Sequence, residues 1–294
     1  MRHGQPSRTA EHNALFRTLE SGRTVHRRLL DDPFGRRFLS WPLSIVARLA
    51  AIPGGSALAH WLIDRRWPGV RTSVIARTRL IDDAIEDSIN AGRRQVVVLG
   101  AGFDSRPHRL AALRSATVFE VDHPDTQRAK RERLAGSGPQ ARQDVRYVAA
   151  DFASGRLGDA MDAAGYDDTV PTLIVWEGVT NYLTPDAVDS TLRWCSAAAR
   201  GSILIFTFVD CDVLTDPGKY LGTDQLARSL ARAGEQLTFG IDPDELREYL
   251  VQRGLQLESQ VGAAEYRQRY FGQAARRMRG HEFYRVAIAH VAVA

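Results

Sequence analysis

Three carboxylates and a pair of glycines are the residues of this 294-residue chain whose types and spacing could do chemistry. The apolar run QVVVL (95–99) ends in Gly100-Ala101-Gly102-Phe103-Asp104. Glycines after a buried strand let the backbone turn tightly and approach a ligand closely. FEVD then ends in Asp122, where a carboxylate can accept hydrogen bonds from both hydroxyls of a ribose. VRYVAAD ends in Asp151, followed by Phe152. That carboxylate can accept from an adenine amino group, and the next backbone N–H can donate to a ring nitrogen. TLIVWE ends in Glu177, which at the carboxyl end of a parallel strand would point into the ligand crevice. Each acid has a plainer reading: a cap ahead of His123-Pro124, a loop aspartate, a solvated glutamate. Acids at the ends of three successive strands form a stronger pattern than any one of them.

The glycine pair alone does not choose a ligand, because NAD, FAD and S-adenosylmethionine sites all use it. A dinucleotide fingerprint needs a third glycine three residues after Gly102, and that position is Ser105. Phe103 and Asp104 would also crowd and repel a pyrophosphate. A nicotinamide-dependent oxidoreductase stays as an alternative, weakened by the lack of a Tyr-x-x-x-Lys pair. A non-catalytic ligand-binding module is another.

The elements that must hold these residues fall into two regimes. Before Gly92 the periodicity is helical: one or two short helices in Ala10–Leu30, a break at Asp32-Pro33, a helix in Trp41–Ala51 stopped by Pro53-Gly54-Gly55, and the clearest helix at Arg71–Asn90. After Gly92, strands at 95–99, 117–121, 145–149, 172–176 and 202–208 alternate with helices near 105–114, 124–135 and 185–199. Asp210–Gly240 reads as a long polar insertion. Asp242 and Pro243 signal a helix start, with Asp242 at the cap. Residues 255–261 and 283–293 read as two last strands. The expectation is an α/β fold with a doubly wound, mostly parallel seven-stranded sheet. Residues 1–92 would form a helical cap and 93–294 the ligand-binding domain, with a substrate-side insertion at about 209–241. Phe16, Phe34, Phe38, Trp41, Trp61 and Trp67 supply the cap's aromatics, most of them expected in its core.

Composition narrows the setting. Hydrophobic residues make up 44% and charged residues 25%, which excludes a disordered chain or a disulfide scaffold. No uncharged apolar stretch is long enough to span a membrane, and MRHGQPSRTAEHN lacks the apolar core of a leader. Two cysteines without a CxxC point to no zinc site and to a cytoplasmic address. Residues 1–79 hold 14 arginines against five acids, yet the whole chain has only Lys130 and Lys219 as lysines. So strong an arginine bias reads as base composition. Neither nucleic acid nor membrane is expected as a partner, and the oligomeric state is left open between monomer and homodimer.

The segments LFRTLESGR, Asp32-Pro33-Phe34, ARTRLIDDAI, VVVLGAGFDSRPHRL, FEVDHP, AADF and WEGVTNYLT together resemble the leucine carboxyl methyltransferase family of S-adenosylmethionine-dependent methyltransferases. The resemblance covers about residues 10–205 and is nearest to a bacterial branch that methylates polyketide carboxyl groups. It implies that Arg77 pairs with the donor's methionine carboxylate and that Gly100 and Gly102 pass beneath its amino acid part. It further implies Asp122 on the ribose, Asp151 and Phe152 on the adenine, and Glu177 facing the methionine amino group.

An already activated methyl donor asks the protein mainly for orientation and exclusion of water. A carboxylate acceptor, with a pKa near ~4, needs no general base, whereas a phenol near ~10 would profit from one. The candidates around the acceptor are Tyr182, Arg106 as an anchor for an anion, and His108 or His123 as bases. Neither histidine sits in an obvious base context: His108, one turn into the helix after the glycine loop, reads as structural, and His123, ahead of Pro124, as lining the ribose end. For Arg106 a helix-start ion pair is the competing reading. No metal is expected. The acceptor is expected to be a small natural product carrying a carboxylate.

Overall fold

The computed structural model describes residues 8–136 and 141–292. The stretch 1–7, part of the segment read for a leader, and Val293, the expected end of the last strand, lie outside them.

The described residues open with four α-helices: α1 (Arg8–Ser21), α2 (Trp41–Ala50), α3 (Gly55–Arg66) and α4 (Val70–Asn90). Strand β1 (Gln95–Leu99) follows, then a short α5 (Arg106–Arg109), β2 (Thr117–Asp122), α6 (Pro124–Ala135), β3 (Arg146–Ala149), α7 (Leu157–Ala163), β4 (Thr172–Trp176), α8 (Pro185–Ser196) and β5 (Ile203–Val209). The remainder comprises α9 (Asp212–Thr215), α10 (Thr223–Ala233), α11 (Leu246–Val251), β6 (Leu255–Gly262), α12 (Ala263–Phe271) and β7 (Tyr284–Val291).

Among the described residues seven strands make one sheet in the order β3-β2-β1-β4-β5-β7-β6. β1 to β5 pair in parallel, while β7 runs antiparallel to both β5 and β6. The order reverses between β1 and β4, the switch point where the crevice of an open α/β sheet lies. All residues of β1 and β4 are buried. Unbroken apolar runs are required there, because helices cover both faces. One core layer packs Phe119, Trp176, Leu192 and Phe206. The other packs Ile81, Ile85, Val98 and Tyr266, so α4 and α12 close that face.

The Ala10–Leu30 segment gives a single helix, within the one or two expected, and residues 22–30 turn. Other expectations change. The 105–114 helix breaks after four residues, because Leu110 is extended. Asp242 caps a turn, accepting from the Asp244 N–H at 2.9 Å, and helix α11 starts only at Leu246. The polar insertion holds α10, whose Leu226 and Leu230 face inward beneath a surface of arginines and acids. Two leucines four residues apart give little periodicity to read. α3, α7 and α12 were also not legible. Of the six aromatics expected mostly in the core, Phe16, Phe34 and Phe38 are buried, but Trp41 and Trp61 face outward.

Candidate active site

A cavity of about 520 Å³ opens at the carboxyl ends of β1, β2, β3 and β4. Its floor is the glycine turn after β1. Gly100 has φ +64°, and a Cβ there would sit 2.3 Å from Val179 Cγ2. Gly102 has φ +44°, and its own Cβ would touch Ala10 of α1 at 3.4 Å. Both positions therefore need glycine for conformation, and Gly100 also needs it for space.

The three strand-end acids meet around this floor. Asp122 accepts hydrogen bonds from the backbone N–H of Gly102 and, at 2.6 Å, from that of His123. Burial raises its pKa above the usual aspartate value, and the two N–H donors offset only part of that. Asp151 and Phe152 line the same cavity after β3; the Asp151 carboxylate accepts from the Ala153 N–H at 2.9 Å. Glu177 lines it after β4 and is gripped by two guanidiniums, Arg77 at 2.8 Å and Arg106 at 2.6 Å. Burial opposes its charge, but Arg106 and Arg77 outweigh burial and hold its pKa low.

Arg77 comes from α4, outside the alternating part of the chain. It donates through Nε to Glu177, its guanidinium carbon lies 4.5 Å from the centre of the Tyr284 ring, and it is 4% exposed. Among the described residues nothing hydrogen-bonds its two terminal nitrogens, and it lines the cavity. A planar fork with its outer edge open matches a carboxylate.

Arg106 differs from the expectation of an anion anchor. Its guanidinium already meets Asp82 at 2.7 Å, Asp104 at 2.7 Å and Glu177. It is a buried cation inside a lattice of carboxylates, with Arg109 on the other side of Asp82 at 2.7 Å. His108 does not line the cavity. It is buried against Phe34, its ring nitrogens lack partners among the described residues, and burial lowers its pKa to about 4. His123 does line the cavity, and its ring accepts from the Asp125 N–H as the cap of α6. Tyr182 forms part of the wall, with its phenol pKa pushed up by burial.

Residues without a sequence signal complete the cavity. Thr9, Asn13 and Arg17 reach it from α1, and Glu235, Gln236 and Thr238 reach it from the segment after α10. Thr9 donates to Glu235 at 2.6 Å, joining the two sides. Arg17 pairs with Asp32 at 2.8 Å and donates to the Phe103 carbonyl at 2.6 Å, which ties α1 to the glycine turn. These contacts join residues far apart in the chain, and no local spacing announces them. Elsewhere, Asp210, Cys211 and Asp212 bring ligand-type atoms together, but Asp210 already takes the Tyr220 hydroxyl and Asp212 takes Lys219.

Two solved structures share the fold. A Thermobifida fusca protein described as a methyltransferase aligns over 99% of this chain and 97% of its own, with TM-score 0.61 and 18% identity. A DUF574 family protein of Streptomyces avermitilis aligns over 80% and 90%, with TM-score 0.58 and 20% identity. In sequence, a Mycobacterium tuberculosis H37Rv protein named for S-adenosyl-L-methionine-dependent methyltransferase activity is 36% identical over 173 residues, 56% of this chain and 54% of its own. One from Mycobacterium sp. JLS, named in the same way, is 41% identical over 117 residues, 40% and 38% of the two chains. The chain thus spans about half the length, or less, of the curated relatives it matches. The family model for leucine carboxyl methyltransferase matches residues 10–196, from α1 through the glycine turn and all three strand-end acids to the end of α8. By that match, which takes in well over half of its length, the chain belongs to the leucine carboxyl methyltransferase family.

Proposed function

We propose that this protein transfers the methyl group of S-adenosylmethionine to an oxygen of a small acceptor molecule. The observation that carries the reading is the convergence of Asp122, Asp151 and Glu177 on one cavity floored by Gly100 and Gly102, with the open fork of Arg77 beside them. When bound, the donor supplies a methyl already activated for displacement. The chain's own residues orient and enclose. Asp122 takes the ribose hydroxyls, Asp151 and the Phe152 backbone take the adenine, Arg77 takes the carboxylate, and Glu177 faces the amino group. The cavity's net excess of acids suits a ligand with a cationic centre: among the described residues six carboxylates line it against four guanidiniums. α1 and the segment after α10 shield the site from water.

For the acceptor, family membership supports a carboxylate, methylated to an ester on a polyketide-like small molecule in the cytoplasm. That acceptor is ionised at neutral pH and asks for no base. One observation favours a second reading, a hydroxyl acceptor. Arg17, Arg106 and Arg109 are each committed to a carboxylate, and the open edge of Arg77 is assigned to the donor, so among the described residues no further lining guanidinium is left to balance an anionic acceptor. Titration calorimetry with S-adenosylhomocysteine and, separately, NAD tests the donor; binding of NAD alone overturns the reading. Turnover of a labelled methyl donor against panels of carboxylic acids and phenols then separates the acceptors. A methyl ester is cleaved by mild base, and an aryl methyl ether is not.

A further inference from the structure

Helices α2 and α3 form a hairpin through the turn at residues 51–54. Toward the body they bury Ala47, Ala50, Ala59 and Ile63, with Leu43 and Val46 packed partly buried against the same cluster. Other large apolar side chains of the hairpin point away. Trp41 is 75% exposed, and Leu49, Ile52, Leu58, Trp61 and Leu62 are each more than half exposed. Leu58, Trp61 and Leu62 recur at three- and four-residue spacing along α3, with Trp41 and Leu49 on α2 and Ile52 in the turn between the helices. Single exposed apolar residues are ordinary on a protein surface, but a group of six on one hairpin marks an interaction face.

The charge beside these apolar residues selects the occupant. Arg48, Arg65 and Arg66 are exposed, and none of them forms an ion pair among the described residues. Arg65 lies 5.9 Å from the Trp61 ring centre and Arg66 lies 5.3 Å from that of Trp67. The one acid between residues 41 and 66 is Asp64, and Arg71 holds it at 2.6 Å. A second copy docking through the same face would set these arginines against each other with no carboxylate between them. Anionic headgroups offset them. Tryptophan and aliphatic side chains flanked by arginine are what an interfacial helix needs: apolar atoms in the acyl boundary, guanidiniums at the phosphates.

We propose that the α2–α3 hairpin docks this protein on an anionic lipid surface. This departs from the expectation of no membrane partner. The attachment is peripheral, since no helix among the described residues is long and apolar enough to cross a membrane. The proposal stands independently of the methyl-transfer reading.

The test is co-sedimentation of the full chain with phosphatidylcholine vesicles, with and without phosphatidylglycerol. The expected result is pelleting with the anionic vesicles alone, release by salt, and a blue shift of tryptophan emission. Two variants, Trp61→Glu with Leu62→Glu and Arg65→Glu with Arg66→Glu, should each lower apparent affinity at least about tenfold. Both should keep the wild-type circular dichroism and S-adenosylhomocysteine affinity. Failure to bind anionic vesicles, equal binding to neutral ones, or unchanged binding by folded variants overturns the proposal. So does a homodimer in sedimentation equilibrium that Trp61→Glu with Leu62→Glu converts to monomer, since the face then serves a second copy.

Discussion

Arg77 Nε donates to Glu177 Oε1 at 2.8 Å, joining a helix of the N-terminal region to the end of the fourth strand across the cavity. The bond fixes the guanidinium plane and leaves its outer edge toward the cavity. Arg77→Met should therefore weaken S-adenosylhomocysteine binding by about 1.5–3 kcal/mol, the range for a hydrogen bond to a charged group. Arg77→Lys should lose most of this too, because an ammonium has no planar fork. The control is the decarboxylated ligand, read by calorimetry. Equal penalties for both ligands would show that Arg77 does not meet the carboxylate.

Gly100 carries two demands that can be separated. Its φ of +64° costs an alanine about 1–2 kcal/mol, and the Cβ contact with Val179 at 2.3 Å adds a clash of about 1–3 kcal/mol. Gly100→Ala should lower the thermal midpoint and abolish donor binding. Adding Val179→Ala should recover only the steric share. Full recovery in the double variant would mean that the backbone tolerates alanine there.

Much of this was legible in the sequence, for reasons that differ by residue. β1 and β4 were placed to the residue because both faces of each are buried, which forces unbroken apolar runs. The acids and glycines at their ends were readable because a parallel sheet directs its carboxyl ends to one crevice. Arg77 was placed by family resemblance; its helix was clear, but nothing local distinguishes it from an exposed arginine. For Arg106 the sequence left an anion anchor and an ion pair both open, because its three carboxylates come from α4, the glycine turn and the end of β4. Such a lattice exists only in the folded chain. α3 escaped because apolar residues occupy both its faces, which erases the amphipathic period.

The lattice predicts a large structural cost at Arg106. Arg106→Met leaves Asp82, Asp104 and Glu177 with one fewer buried cation, and removing one partner of a buried ion pair costs about 3–5 kcal/mol. The measurement is chemical denaturation beside acceptor KM. A stability loss below about 1 kcal/mol with a raised KM would restore Arg106 as an acceptor anchor.

Asp122 predicts a pH dependence of donor binding. Burial raises its pKa above the ordinary 3.8, and the ribose contacts assigned to it use the ionised carboxylate. As pH falls, Asp122 protonates earlier than an exposed aspartate would, and one acceptor site becomes a donor. Affinity for S-adenosylhomocysteine should therefore decline toward low pH. Asp122→Asn should bind about 1–3 kcal/mol more weakly at neutral pH and lose that part of the pH dependence. A pH profile identical in wild type and Asp122→Asn would remove Asp122 from the ribose site.

His108 and His281 predict how stability itself falls in acid. Each is buried, with a pKa lowered from 6.5 to about 4, mainly by burial. Between those values the unfolded chain holds a proton on each ring that the folded chain does not, so stability rises with pH across the window. Each histidine should contribute a slope approaching about 1.4 kcal/mol per pH unit between pH 4 and 6.5, flat above it. The buried aspartates held low by arginines, such as Asp32, act in the same direction but below the ordinary carboxylate range. The histidine share is isolated by His108→Phe, which breaks no hydrogen bond among the described residues, where neither ring nitrogen of His108 has a partner. Urea denaturation at a series of pH values should give a shallower slope for this variant than for wild type between pH 4 and 6.5, with the two slopes alike above pH 7. Parallel curves through the lower window would mean that His108 is protonated in the folded state as readily as in the unfolded chain.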